Sequence, residues 1–158
     1  ACAENDLVFL SGGSSVGVKD MSLEVMLGLP DARLLFHGLA VKPGKPTLAV
    51  EAMGCLVIGL PGQPVSAQMI FKTICAPVLR GSSRPVVQGR LDENIVSQAG
   101  RDDFVPVRLE RREDQTIVHP VLGKSGLIGI LASAEGYIHI PFQEQGLVAG
   151  SLVEVRLF

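Results

Sequence analysis

The stretch Leu7-Val8-Phe9-Leu10-Ser11-Gly12-Gly13-Ser14-Ser15-Val16-Gly17 governs the reading of the first half of the chain. Four uninterrupted apolar residues are the pattern of a short parallel strand covered on both faces, and the serine-glycine run ends it abruptly. A helix is predicted to follow. Asp20 or Ser22 can cap it, Leu23, Met26 and Leu27 give it an apolar stripe, and Gly28 with Pro30 stops it. The same pattern returns at Cys55-Leu56-Val57-Ile58-Gly59-Leu60, a second buried strand that runs into Pro61-Gly62-Gln63-Pro64. Here the helix is predicted from Pro64 towards Cys75, with Pro77 ending or kinking it near Ala76. Strand, glycine loop and helix, twice over, predict an α/β architecture. Between the two units, segments 34–41 and 47–50 read as extended arms around Lys42-Pro43-Gly44-Lys45-Pro46, whose central Pro-Gly favours a type II turn.

The character of the sequence changes at Gly81-Ser82-Ser83-Arg84-Pro85, which reads as a linker and divides the chain into 1–82 and 83–158. Beyond it apolar residues alternate instead of clustering: Val105, Val107 and Leu109, then Val153, Val155 and Leu157. These are half-buried strands. Arg111-Arg112-Glu113-Asp114-Gln115 predicts a charged hairpin turn leading into 116–121, and 137–140 adds another strand before turns at Pro141 and Gly146. Five or six short strands in this space predict a small β-barrel or sandwich, with 125–132 as a short helix or plug.

A chain of 158 residues with 47% hydrophobic and 19% charged residues can bury a core as one ordinary domain or two small ones. The apolar surplus points to surface that meets another subunit or a missing domain. A net charge of −2 without a basic segment disfavours nucleic acid as a partner. No run of 18 apolar residues occurs, so a membrane-spanning helix is not expected. Cys2, Cys55 and Cys75 are widely spaced and odd in number, which fits free thiols in a reducing cytoplasm. His37, His119 and His139 match no local zinc spacing and read as structural. The chain opens on Ala1 rather than Met, and a missing N-terminal portion is expected.

Several motifs admit both a chemical and a structural reading. The loop Gly12 to Gly17 stands where α/β sheets bind ligands, and its backbone N–H groups can cradle an anion or simply form a tight turn. It is not a nucleotide P-loop, because Val18 stands where lysine is required. Lys42 and Lys45, at the two ends of the turn, would have Cα atoms within roughly 7 Å. They either flank an anion or are two solvated lysines. Pro61 and Pro64 fix a rigid loop ahead of a helix whose positive end faces the same sheet edge, where Ser66 can contact an oxyanion or serve the helix start. Asp20 is an N-cap or a carboxylate able to hold Mg²⁺ against phosphate oxygens. Ser125 offers a hydroxyl to an oxyanion site or is an ordinary loop serine, and no Ser/His/Asp or Cys/His set is evident.

The order of these pieces carries more than any one of them. S-G-G-x-S-x-G-x-x-D at Ser11–Asp20, K-P-G-K-P at Lys42–Pro46 and G-L-P-G-x-P-V-S-A at Gly59–Ala67 are followed by G-R-x-x-F at Gly100–Phe104 and G-K-S-G at Gly123–Gly126. In this the chain resembles the MoeA-type molybdopterin molybdotransferases, the molybdenum insertases that include the E domain of gephyrin. The resemblance implies a partial molybdopterin-binding three-layer α/β domain over 1–82 and a small C-terminal β-barrel domain over 83–158. It implies insertion of molybdate into adenylylated molybdopterin with release of AMP, a divalent cation such as Mg²⁺, a homodimer, and a cytoplasmic location.

By motif, Asp20 would lie at the metal and phosphate site and Gly12, Gly13 and Ser14 in the pterin or phosphate cradle. Lys42 and Lys45 would act on the anionic substrate, Pro61 and Pro64 would shape the pocket, and Ser66 and Ser125 would approach the molybdate oxygens. Two positions depart from the family: Gln63 replaces the usual Asn, and Pro106 stands where many members carry an arginine that Arg108 or Arg101 would have to supply. The rival readings are a non-enzymatic gephyrin-like scaffold and a molybdopterin adenylyltransferase-type enzyme.

Overall fold

The computed structural model describes residues 1–11, 21–81, 85–121 and 128–158. A 3-10 turn (Cys2–Glu4) precedes strand β1 (Leu7–Ser11), helix α1 (Met21–Leu27) and strands β2 (Arg33–His37), β3 (Val41–Lys42), β4 (Leu48–Ala52) and β5 (Cys55–Leu60). Helix α2 (Pro64–Ile70), a π-helical turn (Phe71–Cys75) and α3 (Ala76–Arg80) follow without a break. Then come β6 (Val86–Leu91), β7 (Ile95–Val96), β8 (Asp102–Arg112), β9 (Gln115–Pro120), α4 (Ile128–Ser133), β10 (Gly136–Ile140), β11 (Gly146–Leu147) and β12 (Leu152–Leu157).

The first sheet has the order β1-β5-β4-β2, with β1 parallel to β5 and the β4 pairings antiparallel. Its core joins Met26 to Leu48, Val50, Ala52, Cys55 and Val57, with Val8, Leu10 and Leu23 packed against them. The two predicted strands exist, but neither is covered on both faces. Along β5, Cys55, Val57 and Gly59 are buried while Leu56, Ile58 and Leu60 are not fully so, and edge strand β1 is only half-buried. The stripe on α1 is narrower than predicted as well: Met26 is buried and Leu23 packs on the core, whereas Leu27 is exposed. Ser22 lies inside α1 rather than capping it, and Asp20 lies outside the described residues. Apolar side chains at the surface include Val25, Leu34, Leu35, Phe36, Ile74, Val78 and Leu79.

Pro77 does not end the second helix. A proline inside a helix lacks a donor N–H and crowds the carbonyl four residues back. The widened π-turn stands immediately before it, and the helix runs on until Gly81 closes it in the left-handed region at φ 64°.

In the second half, β10, β12, β6, β9 and β8 pair in turn and β8 returns to β10, closing a five-stranded barrel. The predicted alternation holds: Val105, Val107, Val153 and Val155 point inward onto Leu91, Val118, Ile138 and Ile140. The β8–β9 hairpin turns at Glu113-Asp114, as expected. Outside it, His119 is bonded to Asp92 and, at 3.0 Å, to Glu110. Hydrogen bonds from Arg112, and secondly from His119, hold the Glu110 carboxyl below its usual range. Cys55 and Cys75 are buried free thiols pushed upward in pKa by desolvation, while Cys2 is half-buried.

Among the described residues the two halves meet through α2, α4 and β3. Val65 and Met69 of α2 pack on Tyr137, Phe104 and Phe158, with the Lys72 ammonium 3.8 Å from the centre of the Phe158 ring. Helix α4 lies against α2 and β8. Strand β3 leaves the first half to join the barrel sheet, parallel to the start of β8.

Candidate functional site

Pairing in the first sheet brings three segments out at one edge. Ser11 is opposite Leu60 in parallel strands, so the chain beyond Ser11 and the loop 61–64 leave from the same strand ends. Antiparallel β4 enters there too, with Leu48 opposite Gly59 and His37 opposite Leu48, so loop 38–47 opens on that edge. In open α/β sheets the carboxyl ends of the parallel strands are the usual place for a ligand crevice.

The lysine loop is built by its backbone. Gly38 N–H donates to Thr47 O at 2.8 Å, Leu39 N–H to Lys45 O at 2.9 Å, and both the amide and hydroxyl of Thr47 donate to Gly44 O, at 3.0 and 2.6 Å. Gly44 takes φ 119°, in the region that favours glycine, and the hydrogen bonds from Thr47 close the turn at Gly44. The Lys42-Pro43 peptide is cis. The flanking arms β2 and β4 do pair, but the segment between them is more than a bend, because Val41 and Lys42 form β3 opposite Asp102 and Asp103. Asp102 N–H also donates to Ala40 O at 2.8 Å.

The two lysines therefore differ. Lys42 Nζ lies 3.7 Å from Oδ2 of the buried Asp103, whose Oδ1 accepts from Arg101 Nε at 2.8 Å. Lys45 is exposed on the outer part of the loop. Pro61 is buried and Pro64, the first residue of α2, is exposed. Ser66 is buried in the first turn of α2, next to Val65 on the seam with the barrel. Gly12, Gly13, Ser14, Asp20 and Ser125 lie outside the described residues. Of the two arginines named for the missing cation, Arg101 stands beside Lys42, whereas Arg108 is exposed and faces His119 farther along β8.

Asp103 was not singled out in the sequence, although a signal was present. The alternation that points Val105 and Val107 inward places position 103 on the same face, and a carboxylate there is an anomaly that demands cations. Nearby, His139 Nε2 bonds Asp102 Oδ1 at 2.7 Å and stacks on Phe104 with centroids 5.1 Å apart, which suits a structural role for this histidine. Among the described residues, no group of three or more His, Cys, Asp or Glu side chains is arranged to hold a metal ion.

The family models for a probable molybdopterin binding domain and for the MoeA C-terminal region (domain IV) match residues 1–81 and 88–158 respectively. A Methanocaldococcus jannaschii protein named for molybdopterin biosynthesis is 33% identical over 99% of this chain and 37% of its own length. A molybdopterin molybdenumtransferase of Staphylococcus epidermidis is 29% identical over 99% of the chain and 39% of its own length. The crystal structure of a molybdopterin biosynthesis MoeA protein from Pyrococcus horikoshii superposes with a TM-score of 0.78 at 32% identity, covering 96% of this chain and 37% of that one. The chain thus spans about two-fifths of the length of the curated relatives it matches.

Proposed function

The chain belongs to the MoeA family of molybdopterin-binding proteins, and from that membership we propose that it is the portion of a molybdenum insertase that holds the anionic substrates. The reaction assigned to it is insertion of molybdate into adenylylated molybdopterin with release of AMP. The observation that carries the reading is the convergence of loop 38–47, loop 61–64 and the exit from Ser11 at one sheet edge, with Lys42 and Lys45 on the first of them. Phosphates, AMP and molybdate are all anions. A site for them needs fixed cations and donors more than it needs a nucleophile.

In this scheme Lys42 and Lys45 bind and orient the phosphate and oxometal groups, and Pro61 and Pro64 keep the mouth of the pocket rigid. The start of the helical run 64–80 adds its positive end, with Ser66 in its first turn. Gly12, Gly13 and Ser14 are assigned to the cradle and Ser125 to the molybdate oxygens, on motif alone. Asp20 is the assigned Mg²⁺ ligand; among the described residues no group of three or more His, Cys, Asp or Glu side chains is arranged to hold the ion. A homodimer belongs to the same proposal and is supported by the exposed apolar residues of α1, β2 and α3. No described helix is long and apolar enough to cross a membrane.

Calorimetric titration with AMP in the presence of Mg²⁺ tests the reading. The unaltered chain is expected to bind, and Lys42→Ala to weaken binding by about tenfold or more, the worth of a charge-assisted contact. Absence of binding by the unaltered chain, or equal affinity in the variant, would remove the site assignment.

A further inference from the structure

We propose that Asp103 is a positioning residue that fixes the Lys42 ammonium at the seam between the two halves before any anion arrives; this rests on reading the rim as an anion site. Asp103 is 1% exposed and sits opposite Lys42 in the parallel β3–β8 register. A carboxylate so buried requires cationic partners. Arg101 takes the tight bond, Nε to Oδ1 at 2.8 Å, and the other oxygen faces Lys42 Nζ at 3.7 Å.

That second distance matters. At 3.7 Å the contact is an ion pair rather than a hydrogen bond, so it restrains the ammonium without consuming any of its three donors. The Lys42 side chain remains 58% exposed and keeps those donors for an oxyanion. Two cations against one carboxylate leave the trio with a net positive charge, so the tether does not cancel the attraction for an anion. A lysine on an open loop would lose its rotamer freedom on binding; one already held loses less. Because the loop belongs to the first half and Asp103 to the barrel, the tether also makes the position of Lys42 depend on how the halves are seated.

The experiment has two arms on the full chain. In the first, ligand-free protein is acylated with an amine-reactive reagent and Lys42 is compared with Lys45 by peptide mass spectrometry. Asp103→Asn is expected to raise Lys42 labelling about two- to fivefold, the worth of a partly exposed ion pair, with Lys45 unchanged and Asp103→Glu restoring the original rate. If Asp103→Asn fails to fold, Arg101→Gln takes its place. Removing the competing cation is then expected to slow Lys42 labelling.

In the second arm, AMP affinity is measured in a double-mutant cycle. Asp103→Asn is expected to weaken binding by the same factor in the parent chain and to change nothing in the Lys42→Ala background. Lys42 labelling that does not respond, tighter AMP binding in Asp103→Asn, or an equal loss in both backgrounds would overturn the proposal. Unchanged AMP affinity in Lys42→Ala would instead reject the rim reading, while the labelling arm still decides whether Asp103 holds Lys42.

Discussion

Replacing Gly44 with alanine is expected to lower the stability of the chain by about 2–4 kcal/mol, combining a left-handed backbone penalty with overpacking. Gly44 has φ 119°, and a Cβ built on it would lie 2.2 Å from Cδ1 and 2.4 Å from Cγ1 of Ile70. Ile70 cannot simply swing aside, because it is itself 1% exposed in α2. The loop and the helix must therefore part. Since Lys42 and Lys45 flank this glycine, AMP affinity should fall with stability. Urea denaturation reads the change as a shifted midpoint at constant slope. Gly44→Ala combined with Ile70→Ala relieves the clash but not the backbone, so its combined loss should be smaller than the sum of the two single losses. A midpoint for Gly44→Ala equal to that of the parent chain would mean that the loop does not rest on α2.

Tyr137→Ala is expected to lower stability by about 3–5 kcal/mol, the usual loss for a large aromatic side chain in a core. Tyr137, on β10, is 2% exposed and joins α2 of the first half to Phe104 and Phe158 of the second. Its ring meets Phe104 edge-on with centroids 5.8 Å apart, lies tilted against Phe158 at 5.8 Å, and packs on Val65 and Met69 of α2. Removing it opens the seam rather than the barrel, whose interior consists of other residues. Thermal unfolding of the variant is accordingly expected to split into two transitions, whereas Tyr137→Phe keeps the ring and should stay within about 1.5 kcal/mol of the parent. A single transition at the original midpoint would contradict the role given to this residue.

Much of this architecture is written in local patterns. The period-two alternation through Val105 and Val107, and through Val153 and Val155, needs only near neighbours to be read, and the barrel strands follow it. Apolar runs are less informative. Leu56, Ile58 and Leu60 look like core residues, yet one face of β5 is incompletely covered, because apolar composition records what a surface prefers and not what lies over it. For Pro77 the local penalty of a helical proline foretold a break in regularity near Ala76 but not which of its two forms: the helix does not end there, and a π-turn over Phe71–Cys75 accommodates the ring.

Long-range features were the hardest to read. Nothing in Val41-Lys42 says that it will pair with Asp102-Asp103, 61 residues on, and so the Lys42–Asp103–Arg101 trio was legible only as separate charges. The order of the motifs did anticipate that the lysine loop and the Pro61–Pro64 loop would open on one rim, which the strand register bears out. Gly12, Gly13, Ser14, Asp20 and Ser125 lie outside the described residues, and their assignment still rests on motif.

The most direct measurement of the central claim is an amide shift map of the isotopically labelled chain, titrated with AMP and Mg²⁺. The largest shifts are expected to fall together on 12–20, 42–46 and 61–66 and on Arg101 with the first residues of β8, Asp102 and Asp103, with the Glu113-Asp114 hairpin tip unmoved. Shifts confined to the far end of the barrel, or reaching the lysine loop without 12–20 and 61–66, would contradict it.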